Sequence, residues 1–288
     1  MSAEKPKTAT ASTPEPKAAP SEDLPPMDRL LAIMARLRDP KAGCPWDLEQ
    51  DFSTIVPHTI EEAYEVADAI ERSDMDGLKG ELGDLLFQVV FYAQMAQEGG
   101  LFSFEEIVRG LNEKMIKRHP HVFAEGQIGS AAAQTEAWEE QKAGERAAEA
   151  AARGEAASQL DGVPVGLPAL TRAVKLQKRA ARIGFDWPEA AQVLDKIAEE
   201  AAEIKTEMAN GGGPARLADE VGDLLFAVSN LARHLGLDPE QSLRGANAKF
   251  ERRFRRLETL LAAEHGPSAR PGLDALEALW QRVKREER

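Results

Sequence analysis

Three short motifs occur twice in this chain, in the same order and with nearly the same separation. The sequence EEAYE at 61–65 recurs as EEAAE at 199–203, and ELGDLLF at 81–87 recurs as EVGDLLF at 220–226. The matching residues of the third block are Asn112, Lys114 and Arg118 in the first copy and Asn247, Lys249 and Arg253 in the second. Such ordered self-similarity indicates a tandem duplication, in which each copy is one structural unit.

Apolar residues in both copies recur at the spacing of an α-helix. The first copy carries Leu82, Leu85, Leu86, Val89 and Val90, and the second carries Val221, Leu224, Leu225 and Val228. Neither copy shows the alternating β-branched residues and hairpin turns of strands. The sequence therefore predicts an all-α fold built from two tandem helical units. It also predicts that Thr59 and Glu62 form a capping box where the first acidic helix begins.

Composition divides the chain further. Residues 1–26 are rich in Ala, Pro, Thr, Lys and Glu and predict a disordered extension. The stretch 126–165 is rich in Ala, Glu and Gly and predicts a linker with helical tendency. The two helical units are then expected at 27–125 and 166–288.

The overall charge and the cysteine content narrow the class of protein. A formal net charge of -13 disfavours binding to nucleic acid, because the phosphate backbone would be repelled. No apolar run is long enough to span a membrane, and the first residues lack the apolar stretch of a secretory signal. Cys44 is the only cysteine, so no intramolecular disulfide can form. A cytoplasmic location is expected.

Carboxylates dominate both copies of the repeat. On a helix, Glu203 shares a face with Glu199 and Glu200, and like charges at this spacing repel. Glu220 and Asp223 form a second acidic pair one turn apart. If the two helices pack together, these carboxylates converge and require a counter-charge. A divalent metal ion is the simplest one.

The identity of the metal follows from the ligand atoms. All candidate ligands are oxygens, and none of the five histidines falls inside either acidic motif. Zinc favours His or Cys, and a di-iron bundle needs Glu-x-x-His pairs, which are absent. Oxygen ligands point to Mg²⁺, with Mn²⁺ as a substitute, and Mg²⁺ commonly bridges to substrate phosphates.

The third block adds cations that could bind those phosphates. Lys249 and Arg253 lie one turn apart, whereas a P-loop is absent, which excludes the usual ATPase cradle. A purely structural explanation also stays open for each of these motifs. Either acidic motif alone is more typical of a solvated helix face, the Arg-rich run 252–256 could be a solvated basic face, and Trp187 or Trp280 could be a core or interface residue. The ordered recurrence of the motifs favours the functional interpretation.

These motifs resemble the MazG nucleoside triphosphate pyrophosphohydrolases in their two-domain form. The resemblance rests on GCPWD at 43–47, TIEEAYE at 59–65, GELGDLLF at 80–87, RHPHVF at 118–123, KLQK at 175–178, GFDW at 184–187 and KFERRF at 249–254. It implies an all-α fold, a homodimer, and hydrolysis of nucleoside triphosphates, ATP among them, to the monophosphate and pyrophosphate. The competing hypothesis is a nucleotide-sensing or partner-binding module with vestigial catalysis.

The resemblance also implies roles for individual residues. The metal ligands would be Glu200, Glu203, Glu220 and Asp223, with Glu199 in support as the group that orients water. The nucleotide contacts would be Lys196, Lys249, Arg253 and Trp280. The second copy would be the main catalytic one. The first copy keeps the corresponding residues of a second site, and whether that site is active stays open. These residues are Glu61, Glu62, Glu65, Glu81, Asp84, Lys114 and Arg118.

Overall fold

The computed structural model describes residues 19–125, 127–154, 156–266 and 270–287, and within these ranges it contains helices and no β-strand. The all-α prediction is therefore confirmed. Residues 1–18 of the predicted disordered extension lie outside the described residues, while 19–25 lead into the first helix. In the part of the chain that the structure covers, no helix has the length and apolarity needed to cross a bilayer.

Two compact units make up the chain, with the boundary between Ala133 and Gln134. The helices of unit 1 are α1 Pro26–Leu37, α2 Pro45–Glu49, α3 Phe52–Glu71, α4 Met75–Glu98, α5 Phe104–Arg118 and α6 Pro120–Phe123. Those of unit 2 are α7 Ala131–Arg153, whose first residues precede the boundary, α8 Ala169–Ala181, α9 Ala190–Ala209, α10 Pro214–His234, α11 Pro239–His265 and α12 Leu273–Glu286. Helix α7 occupies much of the predicted linker, and the predicted domain limits stay a prediction.

Unit 1 is organised around the hairpin of α3 and α4, with α1 and α5 packed against α4. Its core contains Met34, Ile55, Val90, Phe91 and Met95. Arg38 holds the end of α1 to the end of α4, because its Nη2 lies 2.7 Å from Glu98 Oε2. The Arg38 guanidinium also lies 5.4 Å from the centre of the Phe91 ring, which adds a cation–π contact.

Unit 2 repeats this plan and extends it. Helices α9 and α10 form the central hairpin, and α8 packs on α10, where Gln177 Nε2 donates a hydrogen bond to the Phe226 carbonyl at 2.9 Å. Val193 of α9 is fully buried. The long helix α11 continues past the hairpin and packs on α12. This second cluster consists of Leu257, Leu260, Leu279 and Val283.

The predicted capping box at Thr59 is wrong. Helix α3 begins earlier, at Phe52, where the Asp51 side chain accepts hydrogen bonds from the backbone N–H groups of Ser53 and Thr54. Thr59 instead lies inside the helix, and its hydroxyl donates to the Ile55 carbonyl at 3.1 Å and lies 3.0 Å from the Tyr92 hydroxyl. An aspartate is a strong N-cap, so the helix starts seven residues before Thr59.

The predicted apolar stripe of each hairpin is divided between the core and the surface. In α4, Val90 is fully buried, whereas Leu82 and Val89 are exposed. In α10, Val221 and Leu225 are exposed as well. The small or polar residues Ala227, Ser229 and Asn230 occupy the buried positions of α10. Both hairpins therefore carry an apolar face that their own unit does not cover.

Phe91 gives a direct test of the unit 1 core. Its side chain is 1% exposed, so Phe91→Ala removes a fully buried ring and leaves a cavity. We expect the free energy of unfolding of unit 1 to fall by about 3–5 kcal/mol. The control Phe123→Ala removes a ring that is 60% exposed and should change it far less. Equal effects of the two substitutions in urea unfolding would contradict the packing described above.

Candidate active site

The hairpin of unit 2 places its two acidic motifs at the same distance from the turn that joins α9 and α10. Glu200 lies nine residues before the end of α9, and Asp223 lies nine residues after the start of α10. Because an α-helix rises 1.5 Å per residue, both lie about 14 Å from the turn that joins the helices. That turn is short, comprising residues 210–213, and Gly211 adopts a left-handed conformation with φ of 69°. The antiparallel pair therefore places the carboxylates side by side.

Three carboxylates of unit 2 converge closely enough to share one cation. Glu200, Glu220 and Asp223 each offer an oxygen, and these oxygens lie within 4.8 Å of one another. Glu200 is only 4% exposed, and its Oε2 atom is buried without a hydrogen-bond donor in the described part of the chain. A buried carboxylate oxygen without a donor is costly unless a cation or a proton joins it. The residues present therefore fit a divalent cation with oxygen ligands.

Lys196 supplies part of the counter-charge. Its ammonium lies 2.9 Å from Glu199 Oε1 and 2.8 Å from Glu200 Oε1, one turn along the same helix. The hydrogen bonds that Lys196 donates to Glu200 and then to Glu199 raise its pKa, so it stays charged at any physiological pH. Lys196 therefore occupies Oε1 of Glu200 and leaves Oε2 for another partner.

Glu203 lies beside the three-carboxylate group rather than in it. Contact with the Glu200 carboxyl is the main cause that raises the pKa of Glu203, with burial and the charge of Glu200 adding to it. Neighbouring carboxylates repel each other, and this repulsion favours the protonated form of one of them. A cation among them would relieve the same repulsion without a proton.

Unit 1 builds the same group from Glu62, Glu81 and Asp84, whose oxygens also lie within 4.8 Å of one another. Burial raises the pKa of Glu62, and the nearby charges of Asp84 and Glu65 raise it further. Glu65 thus lies close to Glu62, as Glu203 lies close to Glu200. Of the carboxylates predicted for unit 1, the structure therefore brings Glu62, Glu81 and Asp84 together, whereas Glu61 lies beside His58 outside this group.

The two copies differ in the cation that precedes the first glutamate. His58 of unit 1 stands where Lys196 stands in unit 2, three residues before Glu61, and its Nδ1 atom lies 3.9 Å from Glu61 Oε2. His58 falls outside the acidic motifs, so the motifs alone did not predict it as a site residue. An alignment of the two copies would have identified His58, because it pairs His58 with Lys196.

The predicted nucleotide contacts on α11 and α12 form a separate group. Arg253 Nε pairs with Glu287 Oε2 at 2.6 Å, and the Trp280 ring lies 5.5 Å from the Phe250 ring. Lys249 is exposed on α11, close in sequence to this group. In unit 1, Lys114 is exposed and Arg118 is half-buried at the end of α5. The structure thus brings the carboxylates into one group, whereas Arg253 and Trp280 contact residues of the α11–α12 pair.

Fold and site together define a class: a helical-hairpin protein with paired carboxylate sites suited to a divalent cation. The model of the MazG nucleotide pyrophosphohydrolase domain matches residues 50–123 and 189–257, which contain both hairpins. The chain belongs to the MazG nucleotide pyrophosphohydrolase family, and the resemblance found in the sequence is confirmed.

Several relatives match over most of this chain. It is 52% identical over 262 residues to the nucleoside triphosphate pyrophosphohydrolase of Escherichia coli strain K12, covering 91% of this chain and 98% of that protein. It is 39% identical over 257 residues to the nucleoside triphosphate pyrophosphohydrolase/pyrophosphatase MazG of Thermotoga maritima, covering 89% and 95%. The uncharacterized protein YabN of Bacillus subtilis is 38% identical over 257 residues, but the match covers only 51% of that protein.

The paired sites predict how the chain binds divalent cations. We expect calorimetric titration with Mn²⁺ to show binding at both carboxylate groups, and Asp223→Asn to remove the unit 2 component because one of its three ligands loses its charge. The control Asp219→Asn makes the same chemical change at an exposed position of the same helix and should leave both components intact. Unchanged Mn²⁺ binding in Asp223→Asn would rule out the unit 2 group as a cation site.

Proposed function

We propose that this chain hydrolyses nucleoside triphosphates, and deoxynucleoside triphosphates as well, to the monophosphate and pyrophosphate, with Mg²⁺ as the cofactor. The observation that carries the proposal is the convergence of Glu200, Glu220 and Asp223, together with the buried Glu200 Oε2 atom, which has no donor among the described residues. The relatives in E. coli and T. maritima carry the name of this activity, which supports it. Such an enzyme would control the nucleotide pool or remove unwanted nucleotides.

The carboxylates of unit 2 would hold the cofactor. Glu200, Glu220 and Asp223 are the proposed ligands, with Glu203 beside them as the fourth. When bound, Mg²⁺ would offset the charge of the triphosphate and of the leaving pyrophosphate. Mn²⁺ is the expected substitute, because it accepts the same oxygen ligands.

The remaining groups orient the reactants. We propose that the Glu199 carboxylate, held by Lys196, orients the attacking water and accepts its proton. The water oxygen forms the new bond to the α-phosphorus as the bond to the bridging oxygen breaks. Lys249 and Arg253 would bind the distal phosphates, and Arg253 would exchange its Glu287 partner for them. Trp280 would pack against the nucleotide from the same helix pair.

We assign the main turnover to unit 2. Lys196 gives its carboxylates a permanent counter-charge, whereas His58 in unit 1 is charged only when protonated. Unit 1 would bind nucleotide or turn it over more slowly. The single cysteine, which forms no disulfide, supports action in a reducing compartment such as the cytoplasm.

Catalysis can be assigned to one copy by matched substitutions. Asp223→Ala or Glu203→Ala should remove most of the pyrophosphate release from ATP with Mg²⁺. Each variant lacks one of the carboxylates proposed to hold the Mg²⁺ that offsets charge in the transition state. Asp84→Ala makes the matching change in unit 1 and should leave most of the rate. Products are followed by ion-exchange chromatography, and circular dichroism checks the fold. Full activity in both unit 2 variants would refute the site.

The uncovered apolar faces support a homodimer. In unit 2, Val221, Leu225 and Val228 of α10 are all more than 40% exposed, and the α3–α4 hairpin of unit 1 has the corresponding face. Contiguous exposed apolar surface of this kind is typical of an interface. Two copies of the chain could bury it by pairing through the same face in a symmetric dimer.

The dimer is tested by placing a charge in that face. Leu225→Glu should shift the chain towards the monomer in sedimentation equilibrium, because burying an unpaired carboxylate opposes association. Val165→Glu adds the same charge at a loop position that is 83% exposed and should leave the association unchanged. A monomeric wild-type chain at micromolar concentration would disprove the homodimer.

A further inference from the structure

A basic cavity lies in unit 2 outside the carboxylate group. Its volume is about 530 Å³, and its walls come from α7, α8, residues 162–164 and the region where α10 ends and α11 begins. No member of the three-carboxylate group lines it. Arg233, which does line it, follows Asp223 by ten residues on α10, which is about 15 Å along the helix axis. The cavity is therefore distinct from the proposed catalytic site.

The cavity is positively charged although the chain is acidic. Its cationic lining residues are Lys175, Lys178, Arg179, Arg182 and Arg233, and its acidic lining residues are Glu139 and Asp238. The five cations exceed the two acids by three charges, and they still exceed the acids by two when Asp186, which pairs with Arg233 from outside the lining, is included. A local positive field within an acidic protein favours a small anion over nucleic acid.

The acidic residues of the cavity are already engaged. Glu139 pairs with Lys142 as well as Arg182, and Asp238 caps α11 by accepting a hydrogen bond from the Gln241 N–H at 3.1 Å. Within the part of the chain that the structure describes, neither Lys175 nor Lys178 has an ion-pair partner. Both ammonium groups are therefore available to an anionic ligand.

Partly buried guanidinium groups add to the positive charge of the cavity wall. Arg146 packs against the cavity wall, where its Cδ lies 3.2 Å from the position that a Cβ on Gly162 would take. Its Nη2 atom is buried and has no hydrogen-bond partner among the described residues. Burial lowers the pKa of Arg179, and the charges of Arg146 and Arg182 lower it further. Cations crowded in this way are stabilised when an anion binds among them.

The first copy provides an internal comparison. Unit 1 has a cavity of about 430 Å³ at the matching place, lined by α1, α4 and the start of α5. When α1 is aligned with α8 at their buried residues Met34 and Gln177, Ala32 and Ala35 stand at the positions of Lys175 and Lys178. The repeat of the hairpin pairs Gln94 with Arg233. The shared fold therefore accounts for the cavity but not for its charge, which belongs to the second copy alone.

We propose that this cavity binds a nucleoside di- or triphosphate without a divalent cation, as a second nucleotide site on unit 2. Its lysines and arginines would neutralise the phosphates directly. Its volume lies in the range of small-molecule sites, and Val163, Val174 and Leu237 give it an apolar part against which a ribose and base can pack. The carboxylate group, in contrast, would repel a nucleotide unless a metal were present.

The test is equilibrium binding of ATP by calorimetry with EDTA present, so that the carboxylate groups repel the nucleotide. The wild-type chain should bind one ATP, and Lys175→Ala/Lys178→Ala should weaken that binding at least tenfold. Both lysines are exposed, so the fold should survive, which a thermal melt checks. Lys41→Ala/Arg109→Ala removes the same charge at exposed positions of unit 1 and should change the affinity less than twofold.

Inorganic pyrophosphate is the second ligand in this titration. It should bind at least tenfold more weakly than ATP, because it fills only the charged part of the cavity. Equal affinity for the two would overturn the nucleotide assignment, and so would an absence of ATP binding or wild-type affinity in the double variant. Hydrolysis with Mg²⁺ is measured separately in the same variants. Failure of the cavity proposal would leave hydrolysis intact, and failure of the proposed function would leave the binding in EDTA intact.

Discussion

The mutual repulsion of carboxylates across a helical hairpin is the constraint on which this structure depends. Glu200, Glu220 and Asp223 come from two helices, and nothing within a single helix would bring them together. Burial of Val193 and the packing of α9 against α10 hold these helices together against that repulsion, while Gln177 of α8 anchors α10 through the Phe226 carbonyl. Stability that maintains a like-charged group is typical of a functional site, where the cost is offset when a ligand binds.

Duplication has produced two copies that share geometry and differ in charge. Both hairpins place a glutamate nine residues before their turn and an aspartate nine residues into the next helix. His58 against Lys196, and Ala35 against Lys178, change the local charge while the backbone plan stays the same. The two copies can therefore differ in function while they share a fold and a carboxylate geometry. The same change in charge makes the basic cavity a property of unit 2.

Much of the fold followed from the sequence because its determinants are local. The helical periods, the repeat and the acidic motifs lie within single helices, and the MazG resemblance was confirmed. Three features were inaccessible for physical reasons. Asp51 and Thr59 were competing caps, and Leu225 belongs to an apolar stripe that its own unit leaves exposed. The separation of Glu203 from the tight carboxylate group depends on how α9 and α10 pack. The basic cavity draws side chains from segments more than sixty residues apart, which no local pattern reveals.

The central claim is that these carboxylates form one cation site for a triphosphate. A crystal of the full chain grown with Mn²⁺ and a non-hydrolysable nucleoside triphosphate tests it through the anomalous scattering of manganese. We expect an anomalous peak about 2 Å from oxygens of Glu200, Glu220 and Asp223, with the phosphates on its open side. An anomalous peak elsewhere in unit 2, with these three carboxylates facing solvent, would contradict the account.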